Sequence, residues 1–192
     1  MTEEHRVTDP RELRALAHPL RMRLLDELMI GGPATATELA GVVGESPANC
    51  SWHLRQLARY GYVEETGEGR GRNRPWRIVV RSTVYGHSDD SPDAARIGDE
   101  LSQLRLDREL ATLRAWQAGR TAEPPEWQDA AFLGSGFAWL TVEELTEFSR
   151  TIVELMLRHA DRVADPTRRP ADARPVSIVS WAVPSRPAPP QP

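Results

Sequence analysis

The sequence has no lysine, a single cysteine and no long apolar run, and each of these absences excludes something. All 24 basic residues are arginine, most simply because of a GC-rich coding sequence, and every cation is therefore a planar guanidinium that suits phosphate or guanine. The lone Cys50 excludes an internal disulfide and a cysteine-rich metal site. No apolar stretch approaches the ~20 residues that span a bilayer, and the acidic N-terminus is unlike a secretory signal. We therefore expect a cytoplasmic protein with no membrane partner.

The arginines are concentrated in one part of the chain. Among its 192 residues, 40% are hydrophobic and 27% charged, as is typical of a globular protein with one large or two small domains. The net charge of −4 by itself disfavours binding to a polyanion. However, residues 50–81 hold seven arginines and three acidic residues, whereas residues 86–192 hold 12 arginines and 17 acidic residues. Because local potential governs binding to a polyanion, residues 50–81 are the candidate surface.

Local signals in the first half of the chain predict four helices and a hairpin. Thr35 or Thr37 can cap the third helix, and Thr35 with Glu38 has the capping-box pattern; Ser46 followed by Pro47 is a strong start for the fourth. The predicted elements are helices at 9–18, 20–30, 34–44 and 46–60, and strands at 62–66 and 76–80. The segment GEGRGRNRP between the strands has the composition of a mobile hairpin tip. This order is that of a winged helix-turn-helix.

The second half of the chain predicts a separate, smaller domain. A helix at 93–117 carries two apolar lines, which imply burial on two sides, for example against a domain and a dimer partner. After it we expect the following elements: a short helix and a strand within 121–140, a helix from the Thr141–Glu144 capping box to 164, a polar loop at 165–175 and a strand at 176–183. The predicted fold is α+β and mainly helical. Its parts are a winged helix-turn-helix domain at 1–82, a linker at 83–92, a helical or α+β domain at 93–183 that dimerises, and a disordered proline-rich tail at 184–192.

The segments LRALAHPLRMRLLDEL and TATELAGVVGESPANCSWHLRQLARYGYVEE resemble the winged-helix repressors of the arsenic-repressor (ArsR/SmtB) family. The resemblance covers about residues 8–82 and implies a homodimer that binds operator DNA and usually represses. The metal-sensing members carry cysteines on the third helix, or Asp and His on the helix after the wing. Here the third helix has no cysteine and residues 93–117 contain no histidine. We therefore expect a member that senses no metal and holds no cofactor.

Spacing on the fourth helix separates an inner face from an outer one. Cys50, Leu54 and Leu57 fall at i, i+4 and i+7 and form the buried face. The predicted DNA contacts are Ser46, Pro47, Ala48, Asn49, Ser51, Trp52 and Arg55 on this helix, and Arg70, Arg72, Asn73 and Arg74 at the wing tip. Asn49 can pair with adenine, and Arg55 with guanine or phosphate. The alternative is a solvated helix surface, and for Trp52 it is packing against another helix.

The aromatic residues of the second half have two interpretations. Trp116, Trp127, Phe137, Trp139 and Trp181 form either a pocket for a small apolar or aromatic effector or, more simply, an ordinary core and dimer interface. No residue pair has a spacing that requires catalysis, so we do not expect an enzyme. The sequence favours a homodimeric, sequence-specific DNA-binding transcription regulator, a repressor released by a small-molecule effector. The alternative function is a winged-helix module for protein–protein contact.

Overall fold

A computed structural model describes residues 4–67, 74–80, 82–86 and 89–185 of the chain. By contact, the chain divides into two compact units. The N-terminal unit comprises Met1–Arg108 and His159–Pro175, and the C-terminal unit comprises Glu109–Arg158 and Val176–Pro192. The chain enters the C-terminal unit after Arg108, returns after Arg158 and leaves again after Pro175, so neither unit is one continuous stretch of sequence.

Short strands and four helices build the N-terminal unit before a long fifth helix begins. Its elements are β1 (Glu4–Arg6), α1 (Pro10–Leu16), α2 (Pro19–Gly31), α3 (Ala36–Val43), α4 (Pro47–Arg59), β2 (Val63–Glu65), β3 (Trp76–Ile78), β4 (Ser82–Val84) and the start of α5 (Pro92–Gly119). The order of α1 to β3 is that of a winged helix-turn-helix, which confirms the predicted fold class. The fold is mainly helical with two small sheets.

The helices begin where the capping residues predict. The Asp9 side chain accepts a hydrogen bond from the Arg11 amide at the start of α1. At α3, Thr35 and Glu38 form the reciprocal capping box, so Thr35 and not Thr37 is the cap. At α4, the Ser46 hydroxyl accepts from the Asn49 amide at 3.2 Å. These side chains satisfy amides that the first helical turn leaves without partners.

Leucines from the first four helices and from α5 share one core. Leu13, Leu24, Leu28, Leu54 and Leu57 are all 0% exposed, which confirms the predicted inner face of α4. Ile97 and Leu101 of α5 join them at 1% exposure. On the second apolar line of α5, Leu106 and Leu110 are each 40% exposed. The start of α5 is therefore part of the winged-helix core, and the described residues do not fully cover Leu106 and Leu110 on its second apolar line.

Two small sheets flank the helices, and the sequence predicted only one. Strands β2 and β3 are antiparallel, with Val63 opposite Ile78, and form the base of the wing. Strands β1 and β4 pair in parallel, and the Val7 amide donates to the Val84 carbonyl at 2.9 Å. Residues 82–84 were expected to begin a polar linker. Three-residue strands are too short to show alternation, and their pairing joins residues far apart in sequence.

The C-terminal unit contains the rest of α5, α6 (Pro125–Ala130) and α7 (Val142–Met156). The capping box of Thr141 and Glu144 forms as predicted. None of the described residues of this unit is fully buried. Two expectations are wrong here: residues 131–140 and 176–183 are extended but are not strands in the single chain. A strand requires a partner edge, and the described part of the unit offers neither segment one.

The helix predicted to run from 141 to 164 is interrupted. It ends at Met156, and a separate short helix, α8 (Asp161–Ala164), belongs to the N-terminal unit. The following loop returns to the end of α2. Arg169 Nη1 donates to the Ile30 carbonyl at 2.8 Å and Nη2 to the Met29 carbonyl at 3.4 Å. Arg169 therefore satisfies carbonyls that the end of a helix leaves free. Of the predicted tail, residues 186–192 lie outside the described residues. The predicted domain boundaries at 82 and 93 remain predictions, because compactness does not establish independent folding.

Gly32 ends α2 in a conformation that other residues rarely adopt, with φ +90° and ψ −162°. A Cβ there would lie 2.5 Å from Cγ of Pro166. We expect Gly32→Ala to lower the free energy of unfolding by about 2 kcal/mol or more, from backbone strain and this clash. Gly31→Ala is the matched control, since nothing lies within 4 Å of its Cβ position. Urea denaturation of both variants measures the difference, and equal stabilities would contradict the contact with Pro166.

Candidate nucleic-acid interface

The turn between α3 and α4 sets the angle at which α4 is presented. Gly44 ends α3 in the left-handed conformation at φ +71°, and its amide donates to the Ala40 carbonyl at 3.0 Å. A residue with a Cβ pays a steric cost there, so glycine suits the position. Ser46 then caps α4 two residues later. Helices α2 and α3 pack against α4, and α4 is therefore held on one side and open on the other.

The outer face of α4 has the exposure that the sequence predicts. Trp52 is 50% exposed, and Arg55 is exposed. At the start of the helix Ser46, Pro47 and Ala48 are exposed, whereas Asn49 and Ser51 are half-buried. All seven predicted contact residues of this helix therefore present at least part of their surface to solvent. Their contact with DNA remains a prediction.

Three of the predicted contact residues already make side-chain hydrogen bonds to neighbours on or beside α4. The Asn49 side-chain amide donates to Glu45 Oε2 at 3.0 Å, and Arg55 Nη1 donates to Ser51 Oγ at 2.6 Å. Glu45 was not among the predicted site residues. Its spacing could have indicated it, because Glu45 precedes Asn49 by four residues beside the N-terminus of α4, where the helix dipole favours an acid. A carboxylate here repels phosphate but can accept from the amino group of cytosine.

Trp52 packs against the buried ring of His53, which in turn lies against the half-buried ring of His18. Its ring meets the His53 ring edge-on with centroids 4.7 Å apart, and the His53 ring lies 4.5 Å from that of His18. His53 is 5% exposed, so it packs inside. Its Nδ1 is buried and has no hydrogen-bond partner among the described residues. Burial lowers the pKa of His53, and the nearby charges of His18 and Arg21 lower it further. The contact with the His53 ring therefore orients the Trp52 side chain.

The base of the wing is well defined, and its arginines are paired. Trp76 is 7% exposed and packs there, while its backbone exchanges hydrogen bonds with Ala34 at 2.8 and 3.0 Å. Arg74 Nη1 lies 3.1 Å from Glu65, and Arg77 Nη2 lies 2.6 Å from Glu64. Exposed pairs of this kind are weak, so these arginines can exchange a carboxylate for a phosphate. The predicted contacts at Arg70, Arg72 and Asn73 lie outside the described residues.

The predicted aromatic pocket is not enclosed in the single chain. Phe137 and Trp139 are 96% and 102% exposed, and Trp181 is 68% exposed. Trp116 and Trp127 are half-buried. A shallow groove of 120 Å³ lies between α7 and residues 180–182, and Trp181 is the only one of the five that lines it. The effector pocket therefore remains a prediction.

In the described part of the chain, no three His, Cys, Asp or Glu side chains are placed to hold a metal ion. Burial of Cys50 raises the pKa of its thiol, which makes it less reactive. No helix among the described residues has both the length and the hydrophobicity of a membrane span.

Comparison with known proteins identifies the N-terminal domain. Residues 16–66 match the family model of a helix-turn-helix domain (HTH_20), and this match covers α2 to β2. Because it spans about a quarter of the chain, it identifies a domain and not the family of the whole protein. No curated protein is significantly similar to the chain.

Several solved structures overlap parts of the chain at low identity. Reduced HlyU from Vibrio cholerae is 19% identical, over 49% of this chain and 84% of that one, with a TM-score of 0.30. NMB1585, a MarR family regulator from Neisseria meningitidis, is 11% identical over 78% and 80%, with a TM-score of 0.35. ZitR from Lactococcus lactis, in complex with DNA, is 15% identical over 74% and 73%, with a TM-score of 0.28. At these scores the overlaps carry no argument about this chain.

Proposed function

We propose that the protein is a homodimeric, sequence-specific DNA-binding transcription regulator that acts as a repressor, of the arsenic-repressor type but sensing no metal. The observation that carries the proposal is the contrast between the two faces of α4. Its inner face is fully buried, whereas its outer face presents Trp52, Arg55 and the helix start to solvent. In a winged helix-turn-helix, this outer face enters the major groove and the wing lies on the flanking backbone.

The charges of the described residues support binding to a polyanion at this surface. The N-terminus of α4 has amides that point outward and a partial positive charge, which suit a phosphate. Arg55 extends the positive surface along the helix, and Arg74 and Arg77 extend it onto the wing. Against this, the carboxylate of Glu45 lies beside the predicted contact residues of α4 and accepts a hydrogen bond from the side chain of Asn49. Asn49 therefore reads adenine only after it leaves Glu45.

A homodimer would present two copies of α4 to half-sites about one turn of DNA apart, ~34 Å. The half-exposed second line of α5, with Leu106 and Leu110 at 40% exposure, supports a partner helix at that position. A small apolar or aromatic effector that binds the C-terminal unit would change the spacing of the two helices and release the operator.

Fluorescence anisotropy with DNA that flanks the protein's own coding region tests this function. We expect tight binding to that DNA, weak binding to a scrambled duplex and a steep loss of affinity with salt. Replacing Arg70, Arg72 and Arg74 by alanine should reduce the slope of log K against log salt by about 3, since each phosphate contact contributes ~0.9.

The matched control replaces three exposed arginines of the C-terminal unit by alanine, namely Arg114, Arg120 and Arg158. This control removes the same net charge and should leave the salt slope almost unchanged. Equal slopes for the two triple variants would contradict the contact of the wing with DNA.

The second candidate function is a winged-helix module for protein–protein contact. The 50% exposure of Trp52 favours it, because an exposed tryptophan is a common anchor of protein interfaces. Binding that is weak, equal for both duplexes and independent of salt would support this alternative and contradict the first.

A further inference from the structure

Two extended segments of the C-terminal unit carry large apolar side chains in solvent. We call residues 131–140 the first extended segment and residues 176–184 the second; α7 lies between them in the chain. The most exposed side chains are Phe132 (90%), Leu133 (68%), Phe137 (96%) and Trp139 (102%) in the first and Val176 (64%), Ile178 (57%), Trp181 (68%) and Val183 (70%) in the second. Such a concentration of exposed apolar residues marks an interaction surface.

The exposed area matches what a stable interface requires. A buried aromatic side chain covers about 150–250 Å², so the four aromatic residues of these segments alone offer on the order of 500–900 Å². A typical specific interface buries about 800 Å² on each partner. The largest apolar patch of an ordinary monomer is only about 300–600 Å². The area is therefore that of one complete protein interface.

The backbone of the segments points to a sheet rather than to a flat contact. Both run for eight residues or more without a helix, turn or bend, and among the described residues neither has a ladder partner. The second segment, VSIVSWAVP, is rich in the β-branched and aromatic residues that favour strands. Unpaired extended backbone of this kind is a template for strand addition.

The absence of charge in the two segments favours another copy of this chain as the partner. Neither segment contains a charged residue, although 27% of the chain is charged. In an interface around a two-fold axis each patch meets itself, so any charge in it would meet a like charge. A neutral, apolar segment avoids this repulsion, whereas recognition of a charged partner would require the opposite composition.

We propose that a second copy of this chain covers the two extended segments, which become strands of a sheet shared by the two protomers. The amphipathic helix α7 packs beneath this sheet, where Phe148, Ile152 and Met156 already form a groove with Trp181. This proposal specifies the dimer on which the proposed function rests, and it places a large part of the dimer contact outside the winged-helix domain.

Exposure of the two aromatic residues gives a clean test. Because Phe137 and Trp139 are almost fully exposed, the variant Phe137→Glu, Trp139→Glu loses almost no contact within one chain. We expect light scattering to show a dimer for the wild type at micromolar concentration. The dissociation constant of the dimer should be at least about 100-fold higher for the variant. The control Val42→Glu, at a position 61% exposed on α3, should leave the mass unchanged.

Hydrogen exchange tests the sheet itself. In the wild-type dimer, the amides of both segments should exchange slowly, and dilution to the monomer or the double substitution should make them exchange fast. A wild type that is monomeric, a variant that stays dimeric, or segments that exchange fast in the dimer would each overturn the proposal.

The outcome for DNA is separate. A protected dimer that binds no DNA would refute the proposed DNA-binding function alone, and a dimer that binds operator DNA while its two segments exchange fast would refute this inference alone.

Discussion

Leu54→Ala is expected to lower the free energy of unfolding by about 2–5 kcal/mol, a large part of the roughly 5–15 kcal/mol that stabilises a typical domain. The Leu54 side chain is 0% exposed and packs in the core that joins α4 to the helices before it. Its removal loses the free energy of burial and leaves a cavity that a rigid helix packing cannot close. Urea denaturation followed by far-ultraviolet circular dichroism measures the loss.

Trp52→Ala is the matched comparison, two residues away on the opposite face of α4. Trp52 is half-exposed and touches His53 edge-on, so we expect a loss of about 0.5–1.5 kcal/mol from the ring contact. Its affinity for operator DNA should fall while its fold is retained. If Leu54→Ala were as stable as Trp52→Ala, the assignment of the two faces of α4 would be wrong.

Local signals made most of the N-terminal unit predictable. The boundaries of α3 and α4 follow from Thr35, Glu38, Ser46 and Pro47, because a cap acts on amides within the next three residues. The buried positions of α4 follow from a spacing of three and four residues. Neither inference needs knowledge of the rest of the fold, and the structure confirms both.

Features that depend on distant residues could not be predicted in this way. The parallel pairing of β1 with β4 joins the N-terminus to residues 82–84, and nothing local to either strand indicates the other. The hydrogen bonds from Arg169 to the end of α2 cross 139 residues. Residues 131–140 and 176–183 show the opposite case: their sequence indicates strands, but the single chain supplies no partner edge.

The sequence predicts which side chains form the outer face of α4 but not the hydrogen bonds among them. Spacing identifies which side chains of α4 point outward, since that requires only the helical period. It does not reveal that Ser51 already accepts from Arg55 or that Glu45 already accepts from Asn49. The hydrogen bond to Ser51 restricts the rotamers of Arg55 before any ligand arrives, whereas the hydrogen bond to Glu45 must break before Asn49 can reach a base.

The stability of the protein should fall as the pH falls from about 7 to 5, because of two neighbouring histidines, the buried His53 of α4 and the half-buried His18 that caps α2. The rings of His18 and His53 lie 4.5 Å apart, and the charge of Arg21 faces both. Burial lowers the pKa of each below its ordinary value of 6.5, and Arg21 lowers both further, while Glu45 partly opposes the shift at His53. The folded state therefore resists protonation at both rings.

The sign of the pH effect follows from this resistance. Below pH 6.5 the unfolded chain takes up protons that the folded chain refuses, so acid shifts the equilibrium toward unfolding. The stability is fully present above pH 6.5 and is lost toward the lower pKa of the folded state, at no more than about 1.4 kcal/mol per pH unit for each histidine. The carboxyls of Glu38, Asp93 and Asp165, whose pKa values are also lowered, act with the same sign but below their ordinary values of 4.5 and 3.8.

A double variant separates the histidines from the other titrating groups. The Nδ1 atom of His18 accepts from the Leu20 amide at 3.2 Å and caps α2, and an asparagine side chain can accept the same bond. We therefore expect His18→Asn, His53→Gln to keep the fold and to show a nearly constant free energy of unfolding between pH 7 and 5. Urea denaturation across that range measures it. A wild type whose stability is constant or increases as the pH falls would contradict the lowered pKa values of the two rings.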